Sequence, residues 1–105
     1  MSLSSAQRRE YRAIAHHLKP VVTLGDKGLS EGVRDEIERA LNDHELIKVK
    51  VAGGEKEART EQADALCQAT GAELVQLIGR VAVLLRRSRK PNPKLSNLSR
   101  AAGQA

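Results

Sequence analysis

The sequence predicts a mixed α/β domain in which helices and strands alternate as α-β-α-β-α-β-β, and three observations carry that expectation. Val33, Ile37, Ala40 and Leu41 recur with the 3.6-residue period of a helix that buries one face. Ile47, Val49 and Val51 alternate with Lys48 and Lys50, the period-two signature of a strand with one apolar and one basic face. Glu73 to Ile78 and Val81 to Arg86 are strand-prone runs separated only by Gly79-Arg80, a two-residue hairpin turn with glycine in its first place. Two βα crossovers call for parallel strand pairs joined right-handedly, and the hairpin adds an antiparallel strand. The expected sheet is therefore mixed and four-stranded, with helices packed on it in a two-layer α+β arrangement.

The elements follow in order. Ser4 or Ser5 caps a first helix whose apolar residues Tyr11, Ile14, Ala15 and Leu18 fall at i, i+3, i+4 and i+7, and Pro20 ends it at Lys19. Val21 to Leu24 are strand-prone and stop at Gly25, so Gly25-Asp26-Lys27-Gly28 forms a loop. Ser30 caps the second helix, which closes at Asn42-Asp43-His44. After the alternating second strand, Gly53-Gly54 makes a turn. Ala58, Gln62, Ala65, Leu66 and Ala69 then define the buried face of a third helix ending at Gly71, placed where a left-handed C-terminal glycine belongs.

Charge divides the chain. The net charge is +5, yet residues 80 to 105 hold 7 of the 18 basic residues and none of the 13 acids. From Ser88 onward the periodic pattern gives way to Pro91, Pro93, Ser, Asn and basic residues. The expected organisation is one domain over residues 1–87 and a basic, flexible tail over 88–105, in which Leu95, Leu98 and Ala101 leave room for a short helix on binding. Such a tail suits contact with a polyanion, although a basic tail also serves solubility alone. Cys67 is the sole cysteine and sits in a helical pattern, so no intramolecular disulfide forms. Met1 to Glu10 lacks an apolar signal-peptide core, and the run Val81 to Leu85 is far too short to span a bilayer, so a cytoplasmic location without membrane contact is expected.

The loop carries the main functional signal. Two glycines bracketing two polar residues, after a strand and just before a helix N-terminus, let phosphates approach the backbone closely, where amide groups and the helix dipole favour negative charge. Lys27 adds a mobile cation. This is the device by which KH modules clamp the backbone of single-stranded RNA, although many βα turns use glycine for its dihedral freedom alone. Tyr11 is the only aromatic residue, so stacking of successive bases on rings is not the main binding device.

Three longer segments carry a resemblance. LKPVVTLGDKGLSEG at residues 18–32, HELIKVKV at 44–51 and TGAELVQLIGR at 70–80 look like the YhbY or CRM family, and the likeness covers about residues 4 to 87. It implies a fold similar to the C-terminal domain of bacterial translation initiation factor three, and a bacterial single-domain RNA-binding protein associated with the precursor of the large ribosomal subunit. Related domains in plant organelles bind intron RNA. Carried over by position, the family's GxxG loop falls on Gly25, Asp26, Lys27 and Gly28, and its Gly-Arg hairpin on Gly79 and Arg80. Lys19 and Arg12 complete the surface. Two positions depart from the pattern: Asp26 puts an acid where relatives often carry a base, and Leu84-Leu85 replaces a segment that commonly holds a tyrosine.

Other residues have plainer roles to weigh. Lys48 and Lys50 read either as the solvated face of a strand or as part of an RNA platform. Arg86 and Arg87 open the densest basic run, with Arg89 and Lys90, and suit nonspecific phosphate contact. His16 and His17 are adjacent on a helix and point about 100° apart, so they cannot share a metal as an i, i+4 pair does. The chain has no P-loop, no GxSxG elbow and no recognisable Cys-His pairing, and Glu31, Asp35, Glu36 and Glu38 read as helix-surface charges. The expectation is a non-enzymatic, monomeric RNA binder with no cofactor, metal or small-molecule substrate. The competing expectation is an adaptor that docks a ribosomal or assembly protein through the acidic second helix and the tail.

Overall fold

A computed structural model describes residues 3–25 and 28–103. In chain order the elements are α1 (Ser5–Ala15), β1 (Pro20–Thr23), α2 (Glu31–His44), β2 (Leu46–Lys50), α3 (Lys56–Thr70), β3 (Glu73–Ile78), β4 (Val81–Leu85) and α4 (Asn97–Gly103). The order read from the sequence is present, with a fourth helix added at its end.

The strands lie in the order β1-β2-β4-β3. β1 and β2 are parallel, whereas β4 is antiparallel to both β2 and β3. One adjacent pair is thus parallel where two crossovers had suggested two. The second crossover leaves a gap one strand wide, and the return strand of the β3–β4 hairpin fills it. Gly79, at φ 55°, occupies the first place of that hairpin turn, where a positive φ favours glycine.

α2 and α3 cover one face of the sheet. Ile37 and Leu41 from α2 and Ala63 and Leu66 from α3 pack with Val22, Ile47, Val49, Ala82 and Leu84 of the strands. Each large aliphatic side chain buried here contributes roughly 1.5–3 kcal/mol. α1 and α4 lie on the opposite face, where Tyr11, Ala15 and Leu98 pack against Leu46, Val75, Val83 and Leu85. β2 therefore has an apolar face toward α2 and α3. Its second face begins at the fully buried Leu46 and turns basic toward its end, with Lys48 half-buried and Lys50 exposed.

Helix boundaries follow from local hydrogen bonding. Ser4 closes a capping box on α1: its Oγ accepts from the Gln7 N–H at 3.0 Å, and its own N–H donates to Gln7 Oε1 at 2.9 Å. α1 stops at Ala15 rather than Lys19, because Leu18 N–H bonds back to Ala15 O at 2.9 Å, tightening the chain into turns before Pro20 opens β1. The buried face of α3 also differs from the expected one. Ala63, Leu66 and Thr70 are buried, while Ala58 and Ala65 are exposed. Alanines bury too little area to fix a helix face, and Leu66 sets it instead; the Thr70 hydroxyl tolerates burial by donating to Leu66 O at 2.7 Å.

The segment after Ser88 does not run free of the sheet. Glu45, which follows α2 at φ 63°, is buried, and its carboxylate accepts from Ser88 N–H and from Ser96 Oγ, each at 2.6 Å. His44 Nδ1 lies 2.8 Å from Leu95 O, and Asn97 Nδ2 donates to Leu46 O at 2.6 Å. These bonds seat α4 against α1, where the sequence pattern suggested a mobile tail. The anchor is a carboxylate at a left-handed backbone position far away in sequence, which no local periodicity reveals.

Candidate nucleic-acid interface

Sheet topology gathers three connections at one edge. β1, β2 and β3 all end there and β4 begins there, so the Gly25–Gly28 loop, the turn after Val51 and the Gly79-Arg80 hairpin turn are neighbours. Leu24 N–H donates to Lys50 O at 2.8 Å and Val51 N–H to Arg80 O at 2.7 Å, tying the three together. Gly28 N–H donates to Gly25 O at 3.0 Å, closing the loop as a tight turn, and Ser30 caps α2 immediately after it. Asp26 and Lys27 lie outside the described residues.

The two loop glycines differ. Gly28 sits at φ 70°, a conformation that favours glycine. Gly25 has no such φ, and no described atom lies within 4 Å of the position a Cβ would take there. Nothing among the described residues requires glycine at 25, whereas a backbone that must be approached from outside does.

Cations surround this edge. Lys50 and Arg80 are exposed, and Arg80 Nε donates to Val51 O at 3.4 Å, holding the guanidinium beside Gly53. Lys48 is half-buried and donates through Nζ to Leu18 O at 3.0 Å. Arg12, exposed on α1, lines a cleft with Lys48, Gln76 and Ile78. Gly25, Gly28, Arg12, Lys48, Lys50 and Arg80 are thus brought to one end of the sheet.

The remaining expected residues lie elsewhere. Lys19 lies beside His44, Asn97 and Arg100, on the side of β1 next to α4. Arg87 is exposed at the other end of the sheet, near Tyr11, Gly71 and Glu73. Arg86 is committed inward. Its Nη1 pairs with Glu38 Oε2 at 2.7 Å and donates to Thr70 O at 2.7 Å, while Nη2 donates to Asn42 Oδ1 at 2.8 Å and Glu38 O at 3.3 Å. This guanidinium clamps α2, α3 and the end of β4 together, which leaves it poorly placed for phosphate.

Sequence reasoning missed Gln76 and Ile78. Register shifts between Leu74 and Gln76, and Arg8 of α1 donates through Nη1 to Leu74 O at 2.7 Å and Val75 O at 2.8 Å at that irregularity. A bulge of this kind places two successive residues on one face. The signal was present in the paired apolar residues Leu74-Val75 and Leu77-Ile78, which no strict alternation accommodates.

Charge is segregated between the two faces. α2 carries Glu31, Asp35, Glu36, Glu38 and Asp43 against Arg34 and Arg39, and α3 carries Glu57, Glu61 and Asp64 against Lys56 and Arg59. On the other face α1 carries Arg8, Arg9 and Arg12 against Glu10, and α4 carries Arg100. Among the described residues no group of His, Cys, Asp and Glu is arranged to hold a metal, and the His16 and His17 rings meet edge-to-face at 5.3 Å. Burial pushes the Cys67 thiol up to about 11, with Asp64 and Glu73 adding to the effect, so it holds no reactive thiolate near neutral pH. No described helix is long and apolar enough to cross a membrane.

Residues 3–86 match the CRS1/YhbY (CRM) domain. The chain belongs to this family. A Pseudomonas aeruginosa protein named as a probable RNA-binding protein is 50% identical to this CRM domain protein over 103 residues, covering 98% of this chain and 99% of its own. An RNA-binding protein of Haemophilus influenzae is 49% identical over 94 residues, covering 90% of this chain and 95% of its own. Among solved structures, the solution structure of a hypothetical Staphylococcus aureus protein, presented as a candidate RNA binder, matches this CRM domain with a TM-score of 0.76 and 36% identity. The match covers 85% of this chain and 93% of that one.

Proposed function

We propose that this chain binds RNA by gripping its backbone, without catalysing a reaction, and that the loop end of the sheet is the contact surface. The observation that carries the reading is the convergence of the Gly25–Gly28 turn and the α2 N-terminus with Lys50, Arg80 and Arg12 at one sheet end. A phosphate seats at the loop, where amides and the α2 N-terminus favour negative charge. Flanking phosphates meet the surrounding cations. The family relationship and the names of the relatives support RNA as the polyanion.

The finer reading is that the RNA is ribosomal, in the precursor of the large subunit, and that the protein assists assembly in the cytoplasm as a monomer. Sedimentation of tagged protein through a ribosome gradient at low and moderate salt tests it, comparing wild type with a folded Gly25→Asp, Lys27→Glu double variant. Loss of cosedimentation with large-subunit precursors in the variant alone is the expected result. Unchanged association of the variant would remove the loop from the mechanism and favour docking of a protein partner through acidic α2.

A further inference from the structure

The face of the sheet that carries α1 is not covered at its loop end. Register lays two cross-strand rows across it. Pro20, Lys48, Val83 and Gln76 form one, and Thr23, Lys50, Val81 and Ile78 the next. The first row, with Val81 and Ile78 of the second and Arg12, Ala15 and His16 of α1, lines a cleft of about 240 Å³. That is below the ~300–1,000 Å³ usual for drug-sized ligands and is the size class of a single ring system.

The chemistry of the cleft is mixed in a specific way. Its floor is aliphatic, from Val81 and Val83, and its lip is Ile78, which leaves 62% of its surface exposed. Gln76 is half-buried, and its side-chain amide has no hydrogen-bond partner among the described residues. It shares a face with Val75 only because the β3 bulge, held by Arg8, breaks the alternation. Arg12 and Lys48 put positive charge at the rim. A planar, apolar-faced group with donors and acceptors on its edge, joined to a phosphate, satisfies all three components. An acidic peptide would pair with the rim as well, and the choice of a nucleobase over it rests on the RNA-binding reading above; a bare phosphate leaves Ile78 and Gln76 unused.

We propose that this cleft receives one unpaired nucleobase of the bound RNA. The ring lies on Val81 and Ile78, Gln76 bonds its edge, and Arg12 and Lys48 hold the adjoining phosphate. Tyr11 is buried elsewhere, so the base packs mainly on aliphatic carbon, with the exposed His16 imidazole beside it. The proposal rests on the RNA-binding reading above, and adds base contact to a backbone grip.

The test uses the full chain and fluorescence anisotropy with three probes: twelve-residue oligomers of rA, of rU, and of the same ribose-phosphate backbone without bases. Wild type is expected to bind at least one base-bearing oligomer roughly five- to tenfold tighter than the abasic one, a difference of the size one base contact supplies. Gln76→Ala with Ile78→Ser, both at sites that are not fully buried, is expected to remove most of that preference. Abasic affinity and its salt dependence stay unchanged. Gln76→Met, which keeps the size of the side chain without its amide and adds no charge, is expected to lower base-bearing affinity alone. Equal binding of all three oligomers by wild type, or a preference that survives the double variant, would overturn the nucleobase site and leave the backbone grip standing. Absence of binding to every oligomer would overturn both.

Discussion

The Glu45 carboxylate accepts a hydrogen bond from Ser96 Oγ at 2.6 Å across 51 residues of sequence, with Ser96 wholly buried and Glu45 nearly so. The other carboxylate oxygen takes the Ser88 N–H. One acidic side chain thus fixes both ends of the segment that leads from β4 to α4. Ser96→Ala leaves a buried carboxylate oxygen short of a donor, and is expected to destabilise the fold by about 1–3 kcal/mol. Urea unfolding measures that loss. Hydrogen exchange in residues 95–103 should accelerate more than in the sheet.

Arg86 makes a second long-range connection, and its substitution separates stability from binding. Arg86→Lys keeps the charge but cannot reproduce four contacts to Glu38, Asn42 and Thr70 from one guanidinium. A loss of about 2 kcal/mol is expected, since hydrogen bonds to charged groups contribute roughly 1.5–3 kcal/mol each and lysine retains part of the set. Thermal unfolding should shift down while oligonucleotide affinity, measured well below the transition, stays at the wild-type value.

The two loop glycines should respond oppositely to the same change. Gly28→Ala forces a Cβ into a left-handed conformation at φ 70°, with an expected stability loss of about 1–2 kcal/mol. Gly25→Ala meets no described atom and should leave stability unchanged. Because a methyl group there stands between the backbone and an approaching phosphate, RNA affinity should fall. Unfolding curves and anisotropy on the two variants read both effects.

Cys67 gives a pH dependence whose sign is fixed by burial. Its thiol titrates at about 11 in the fold against 9.0 for an unperturbed thiol. The neutral form is therefore favoured in the fold. The associated stability is complete below pH 9 and is lost as pH rises through 9 toward 11, because the unfolded chain releases its proton first. At pH 8 roughly a thousandth of the folded molecules carry a thiolate. Reaction with a disulfide reagent should be slow in the native protein and accelerate sharply in denaturant.

What was legible in the sequence followed from local rules. Ser30, the Lys48 and Lys50 alternation, the Gly79-Arg80 hairpin and Gly71 at φ 72° each needed only near neighbours, and each stands where expected. The misread features depend on partners far along the chain. The α3 face is set by contact with the sheet, and the α3 alanines cannot reveal it. Arg86 looked like part of a free basic run because Glu38, Asn42 and Thr70 are 16 to 48 residues away. Pro and Ser after residue 88 suggested an open tail because the carboxylate that holds it belongs to the far end of α2. Gln76 is exposed to the cleft through a bulge stabilised by Arg8, 67 residues from Val75.

The division of charge between the α2–α3 layer and the opposite face has a kinetic consequence. A molecule with acids on one side and bases on the other carries a dipole across the sheet, and the field of a polyanion turns it before contact is made. Collisions then arrive with the α1 face leading, which raises the fraction that are productive if that face belongs to the contact surface. Added salt shortens the range of that torque, to about 8 Å at 0.15 M ionic strength. The rate of encounter falls accordingly, while the lifetime of a complex already formed, set by short-range contacts, changes far less.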